Sequence, residues 1–320
     1  MKVVVLDSYC VQPGDLDWSP LYQLADQVEL YPRTNRQQMI ERLQDADYAI
    51  SNKCNINQEV LQHCPNLRWV GLTSTGTDSL DLAACKEHGV SVANVPGYST
   101  FSVAQHTFAL LLEITNGTAR RYASLKDGYW QTDVPAQYGI CPHKELYGLT
   151  FGIVGFGEIG QAAARIAQGF GMRVLVHTRT IRPEYQGFGV EFVEFEQLLA
   201  QSDVVSLHCP ATPQTRGMIG EQQLKAMKPQ AILLNTARGS LVDEAAVAQA
   251  LQNGQLFWYG TDVVCHEPIA KDNPLLQCEH ALITPHVAWA TTQALTRLAK
   301  EVCENLRAFQ QGNARNIVNG

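Results

Sequence analysis

Residues 152–160 read GIVGFGEIG, and the organisation of the chain follows from where this stretch lies. A short apolar run, 151–154, leads into Gly155, Gly157 and Gly160, and a helical pattern over 159–169 follows. Glycines at that spacing allow a tight turn, close approach of the backbone to a pyrophosphate, and close packing of a helix on a strand. The helix N-terminal amides then face the anion. Three glycines alone arise by chance; between a strand and a helix they predict a dinucleotide-binding turn. Downstream, apolar runs at 173–176, 204–207, 231–234, 256–259 and 281–283 alternate with helical patterns at 195–200, 221–227 and 244–253. With 151–154 these make six expected strands, the count for a full doubly wound parallel-sheet domain.

The glycine turn is internal. Upstream of it, 3–6, 48–50, 69–72 and 91–93 are expected strands, and 36–43 and 80–87 expected helices of a first α/β unit. Two long helices, 99–118 and 291–311, are expected to connect the units, and the second carries the chain back to the first. The expected division is therefore 1–98 with 291–320 as a discontinuous domain, and 99–290 as a Rossmann domain inserted in it. The stretch 120–147, rich in Tyr, Gln, Pro and Gly, is less periodic and reads as an oligomerisation arm or a cleft-lining loop. MKVVVLDSY at the amino terminus reads as a first strand rather than a signal peptide.

A NAD-binding turn of this type is normally followed, about twenty residues on, by an acid that holds the ribose hydroxyls. Here RVLVHTRTIRPE (173–184) puts Thr178, Arg179 and Thr180 at that place. An acid would bind the 2′-hydroxyl and repel a 2′-phosphate. Thr178 removes the repulsion, and Arg179 with Thr180 can bind the phosphate. The bland alternative is that Arg179 and Arg182 are solvated loop charges. The expected cofactor is NADP(H) in preference to NAD(H), with NAD(H) as the second choice.

Totals narrow the classes. The 320 residues suit two domains, or one large one; 45% are apolar and 17% charged, as in ordinary globular proteins. A formal charge of −7, with no run of five basic residues, argues against a nucleic-acid surface. Nine cysteines without a CxxC pair read as reduced thiols of a cytoplasmic protein, and nine histidines show no ligand spacing, so no metal is expected. No stretch approaches eighteen apolar residues, so no membrane span is expected.

Three stretches stand at or just beyond expected strand ends, where open α/β sheets bind ligands: NTARGS (235–240), GTDVVCHEP (260–268) and TPHVAWA (284–290). Arg238 offers a planar two-pronged donor for a carboxylate and a neighbouring carbonyl. His286 can give or take a proton near neutral pH. Glu267 would orient that ring and favour its protonated form. Together beside a nicotinamide they make a hydride-transfer site for a 2-oxo or 2-hydroxy acid. His106, in an apolar helix, reads as a satisfied interdomain histidine rather than a second catalyst.

Over essentially its whole length the sequence resembles the D-isomer-specific 2-hydroxyacid dehydrogenase family. The motifs are STGTDSLDL (74–82), NVPGYSTFSVAQH (94–106), GIVGFGEIG (152–160), LNTARGSLVDE (234–244), DVVCHEP (262–268) and TPHVAWAT (284–291). The resemblance implies a Rossmann domain inserted in a smaller, flavodoxin-like α/β substrate domain. It implies that Arg238 binds substrate, His286 is the acid/base and Glu267 pairs with it. It places the substrate carboxylate on the backbone of Ser74, Thr75 and Gly76, bordered by Asn52 and Lys53. The cofactor would run along Gly155, Phe156, Gly157, Glu158, Ile159 and Gly160, past Thr178, Arg179 and Thr180, to Cys209, Pro210 and Thr215. Its nicotinamide end would meet Thr236, Ala237, Asp262, with the carboxamide at Asp262, and Ala288.

Trp289, three residues after His286, resembles the branch of the family that reduces hydroxypyruvate and glyoxylate to D-glycerate and glycolate; its alternative reading is packing at the cleft mouth. The implied partners are a small 2-oxoacid or 2-hydroxyacid and a second copy of the chain, the dimer forming through 120–147 and helix 99–118. The rival readings are a nucleotide-sensing, corepressor-like binding protein, a D-lactate-type dehydrogenase acting on another 2-oxoacid, and a phosphonate- or formate-oxidising relative.

Overall fold

The structure is a computed structural model that describes residues 1–11, 16–128 and 143–320. The centre of the expected arm, 129–142, lies outside the described residues. The chain divides into two compact units, Met1–Ser99 with Ala290–Gly320, and Thr100–Trp289.

In the first unit, strands β1 (Lys2–Val5), β2 (Gln27–Leu30), β3 (Tyr48–Ser51), β4 (Trp69–Leu72) and β5 (Ser91–Ala93) form one sheet in the order β2-β1-β3-β4-β5. Every pairing is parallel, and the order is the flavodoxin-like one. β3 and β4 are buried throughout, which is why YAIS and WVGL show no alternation. Helices α1 (Arg36–Leu43), α2 (Gln58–Gln62) and α3 (Leu82–Glu87) start at Asn35, Asn57 and Asp81, each of whose side chains accepts a backbone N–H of the first turn. β2 and α2 were not expected. QVEL is a half-exposed edge strand held in place by β1, and five residues of α2 are too few to show a period.

The second unit opens with α4 (Thr100–Asn116) and α5 (Thr118–Lys126). A single helix over 99–118 was expected, with irregular chain from 120. Gly117 instead takes a left-handed φ of 58°, which ends α4 and lets α5 begin. Then come β6 (Thr150–Val154), α6 (Glu158–Gly169), β7 (Arg173–His177), β8 (Glu191–Phe192), α7 (Phe195–Gln201), β9 (Val204–Leu207), α8 (Glu221–Ala226), β10 (Ala231–Asn235), α9 (Glu244–Gln252), β11 (Leu256–Thr261) and β12 (Ala281–Ile283). All pair in parallel in the order β12-β11-β10-β9-β6-β7-β8. This is the doubly wound dinucleotide order with one further strand at the β12 edge, and its direction reverses between β6 and β9. Seven strands replace the six expected, because the two residues of β8 leave no apolar run to detect.

The last helix, α10 (Thr292–Gln310), belongs to the first unit. Its Phe309 ring lies 6.3 Å from that of Trp69 on β4. Beyond it, the Val318 amide donates to the Val92 carbonyl at 2.9 Å and the Asn319 side chain accepts from the Val92 amide at 2.8 Å, covering the edge of β5. No helix among the described residues is long and apolar enough to cross a membrane.

The core of the first unit gathers Val4, Leu6, Leu43, Ile56, Leu72 and their neighbours. Leu43, with no exposed surface, closes α1 onto it. Leu43→Ala is expected to cost about 2–5 kcal/mol, read as a lower urea midpoint with an unchanged slope.

Candidate active site

The glycine turn stands at the point where the second sheet reverses direction. Gly155, directly after β6, has φ 95°, and a Cβ there would lie 2.7 Å from the Cys209 amide nitrogen just beyond β9. Both the backbone angle and the neighbouring strand therefore require glycine. A Cβ on Gly160 would collide with the Gly155 carbonyl, so α6 packs directly on the turn. Gly157 differs: no heavy atom lies within 4 Å of where its Cβ would be. It begins α6 without a side-chain cap, so the first amides of a twelve-residue helix open onto empty space. That cradle fits a pyrophosphate.

Around the turn, each expected cofactor residue has a definite place. The Phe156 side chain is buried against Tyr185, Phe188 and Phe192 at 5.1, 5.3 and 5.6 Å, so the backbone is what it offers a ligand. Ile159 is half-buried, and the exposed Glu158 accepts a hydrogen bond from Thr100 Oγ1 at 3.0 Å. Past the end of β7, Thr178 is half-buried while Arg179 and Thr180 are exposed. Arg179 pairs with no carboxylate among the described residues, whereas Arg182 lies 3.6 Å from Glu184. After β9, Thr215 Oγ1 donates to the Pro210 carbonyl at 2.7 Å and closes the loop into a turn. Burial pushes the Cys209 thiol up to about 11, so it stands there as a neutral thiol. Burial also pushes neighbouring His208 down to about 4, and its Nε2 meets Ser206 Oγ at 2.9 Å.

The Arg238 turn is built by a residue the sequence reading passed over. Asn235, fully buried at the end of β10, accepts from the Ala237 amide at 3.1 Å and donates to the Arg238 carbonyl at 2.9 Å. Thr236 Oγ1 lies 2.9 Å from Thr107 Oγ1 on α4, and Arg238 Nη1 donates to the Ala237 carbonyl at 2.8 Å. Gly239 is pressed so closely on Val264 and Cys265 that any Cβ would collide with their backbone. This close approach sets the Arg238 turn against the loop that carries Glu267. Glu244, at the first position of α9, accepts from the Cys265 amide at 2.7 Å and from Asn273 at 2.9 Å, and so ties that loop down.

Glu267 Oε2 lies 2.6 Å from His286 Nδ1, with both side chains about one-third exposed. His286 has φ 54°, a left-handed conformation that non-glycine residues adopt when surroundings over-determine it. The surroundings are visible. Asp262, 1% exposed, accepts from Thr284 Oγ1 at 2.6 Å, the Val287 amide at 3.0 Å and the Ala288 amide at 2.8 Å. The His286 amide donates to the Thr284 carbonyl at 3.0 Å, Trp289 Nε1 to the His286 carbonyl at 2.8 Å, and Ser102 Oγ to the Ala288 carbonyl at 2.5 Å. Asp262 and Trp289, expected to touch cofactor and substrate, thus also hold the histidine loop. His106 is hydrogen-bonded within its own unit, Nε2 lying 2.9 Å from Thr284 Oγ1 and 3.5 Å from Asp262.

In the first unit the segment Thr73–Gly76 has one-sided hydrogen bonding. The Thr73 carbonyl accepts from Asn52 Nδ2 at 2.6 Å, that of Ser74 from the Val95 amide at 2.9 Å, that of Thr75 from Asn94 Nδ2 at 2.7 Å, and that of Gly76 from Ser74 Oγ at 2.6 Å. The amides of Ser74, Thr75 and Gly76 have no acceptor among the described residues. Four satisfied carbonyls beside three open amides make an anion receptor. Asn52 faces Thr73 with its side chain, and Lys53 is exposed.

Two consequences can be measured. Gly155→Ala forces an alanine into φ 95° against backbone, and is expected to weaken reduced-cofactor binding at least tenfold in a fluorescence titration. Asp262→Ala leaves the buried Ala288 amide without its acceptor, about 1–3 kcal/mol, and releases the part-buried Val287 amide as well. Both the melting temperature and the turnover number should fall.

The model of the D-isomer specific 2-hydroxyacid dehydrogenase NAD-binding domain matches residues 108–288, most of the second unit. A hydroxypyruvate reductase of Blautia hydrogenotrophica is 41% identical across the full length of both chains. A glycerate dehydrogenase of Methylorubrum extorquens is 38% identical over 88% of each. Among solved structures, the TT0316 protein of Thermus thermophilus superposes with a TM-score of 0.88 at 36% identity, covering 99% of this chain and 100% of that one. The dinucleotide turn, the Arg238 turn and the Glu267–His286 pair therefore sit in a member of the D-isomer-specific 2-hydroxyacid dehydrogenase family, an NAD(P)-dependent oxidoreductase.

Proposed function

We propose that this chain reduces hydroxypyruvate and glyoxylate to D-glycerate and glycolate, with NADPH preferred to NADH. The observation that carries the reading is the Glu267–His286 pair. With Nδ1 held 2.6 Å from Glu267 Oε2, the ring proton on that side stays in place, and Nε2 is left as the atom that delivers a proton. Arg238, in its pinned turn, clamps the 2-oxoacid through its guanidinium and polarises the ketone. The open amides of Ser74, Thr75 and Gly76 take the substrate carboxylate. A bound reduced nicotinamide supplies the hydride to C2. His286 Nε2 gives its proton to the forming alkoxide, and Glu267 stabilises the imidazolium until that transfer. Trp289, fixed by its bond to the His286 carbonyl, flanks the substrate.

The preference for NADPH rests on Thr178 in place of an acid and on Arg179, which is exposed and has no carboxylate partner among the described residues. The reading also takes the protein to be a cytoplasmic homodimer. Phe101 on α4 and Tyr122 on α5, 68% and 63% exposed, offer apolar surface for a second copy.

Incubation with NADPH or NADH and hydroxypyruvate, glyoxylate or pyruvate, followed by loss of reduced-cofactor absorbance, tests the activity. Oxidation with none of these acids would overturn it. His286→Ala is expected to lower kcat by about 10²–10⁴-fold with cofactor binding retained. Arg179→Ala should raise KM for NADPH at least tenfold and that for NADH little; equal effects would refute the phosphate contact. Light scattering at a dimer mass checks the assembly.

A further inference from the structure

Asp7 is a buried carboxylate that the reaction above does not use. It lies two residues past the end of β1, 5% exposed, and points across the carboxyl ends of the first sheet. Both of its oxygens accept from the Asn52 amide, at 2.9 and 3.0 Å, and Oδ2 also accepts from the Lys53 amide at 2.6 Å. Two successive amides converging on one anion make a small anion receptor, and here the chain fills it with its own carboxylate. Asn52, held by its backbone, turns its side-chain amide to the Thr73 carbonyl at 2.6 Å and to Thr73 Oγ1 at 3.1 Å. Thr73 immediately precedes the three open amides.

We propose that Asp7 is a positioning residue for substrate binding: it fixes the Asn52–Lys53 backbone so that Asn52 draws the Thr73 carbonyl aside and leaves the Ser74, Thr75 and Gly76 amides free for the substrate carboxylate. The inference rests on the reading of Ser74–Gly76 as the carboxylate site. A buried negative charge close to a site for an anion is unfavourable for substrate in itself. Its retention is explained by what it does to the loop. It also directs the substrate, because the amides of residues 52 and 53, the other anion receptor at this edge of the sheet, are already occupied. Asn52 and Lys53 are then supports of the carboxylate site rather than its ligands. Asn94, whose side chain pins the Thr75 carbonyl, supports it from the β5 side.

Asp7→Asn keeps the shape but sets an NH2 group against the Asn52 amide in place of an acceptor and removes the negative charge, and Asn52→Ala removes the bond to Thr73 while leaving Asp7 intact. In both variants we expect KM for hydroxypyruvate to rise about tenfold, with kcat and KM for NADPH within twofold of the parent. Amide hydrogen exchange in peptides covering 72–78 should quicken in both. A merely structural role would lower thermal stability and kcat together and leave KM alone. Folded variants with KM for hydroxypyruvate within twofold, or with unchanged exchange at 72–78, would overturn the proposal. If the parent protein reduces no 2-oxoacid, the reductase reading fails, and the exchange of 72–78 still decides whether Asp7 controls this loop.

Discussion

Asp262 lies just past the end of β11 with 1% of its surface exposed, and three donors from the loop after β12 converge on its two oxygens. Without a carboxylate there, the buried Ala288 amide and the part-buried Val287 amide would lose their acceptor and Thr284 would lose its anchor. The left-handed backbone of His286 would then relax toward an ordinary conformation. The Glu267–His286 contact depends on that backbone, because a ring swung by a few tenths of an ångström no longer meets a fixed carboxylate at 2.6 Å. The proton chemistry proposed for this protein is thus held by a residue whose own oxygens are turned inward.

The same device recurs at other strand ends. Asn235 after β10 gathers the Arg238 turn, Glu244 on α9 ties the 265–273 loop, and in the first unit Asp7 and Asn52 shape the segment at 73–76. A parallel sheet brings all its carboxyl ends to one edge, where backbone groups leave the ladder and need new partners. Polar side chains of the chain itself, Asp7 and Asn235 among the buried ones, supply those partners. Each loop thereby has its backbone tied by the chain's own side chains, the kind of support that preorganised electrostatic recognition needs.

Much of this was legible in the residues. Unbroken apolar runs such as 151–154 and 231–234 announced the buried central strands, since strands covered on both faces carry no polar alternation. The glycine turn, Arg238, Glu267 and His286 stand out in the residues because their chemistry has few bland explanations in combination. What escaped were elements whose character is borrowed from neighbours. β2 and β8 sit at sheet edges, half-exposed and short, and are strands because β1 and β7 pair with them. The break at Gly117 was hidden inside an apolar helical pattern, because a glycine can continue a helix or end it.

The sequence by itself determined the two α/β units, the internal place of the dinucleotide turn and the side chains proposed to react, because apolar period and residue chemistry are local properties. Only the tertiary structure decided what the buried polar residues do. Asp7 has no expected role in the sequence, and Asp262 only that of a cofactor contact, until the loops they hold are seen. The partners of Asp7 and Asp262 lie about 45 and 25 residues away, and no local pattern relates such distances. The one-sided hydrogen bonding of Thr73–Gly76 is likewise invisible in STGTD, because the direction of a carbonyl is set by whichever donor the fold brings to it.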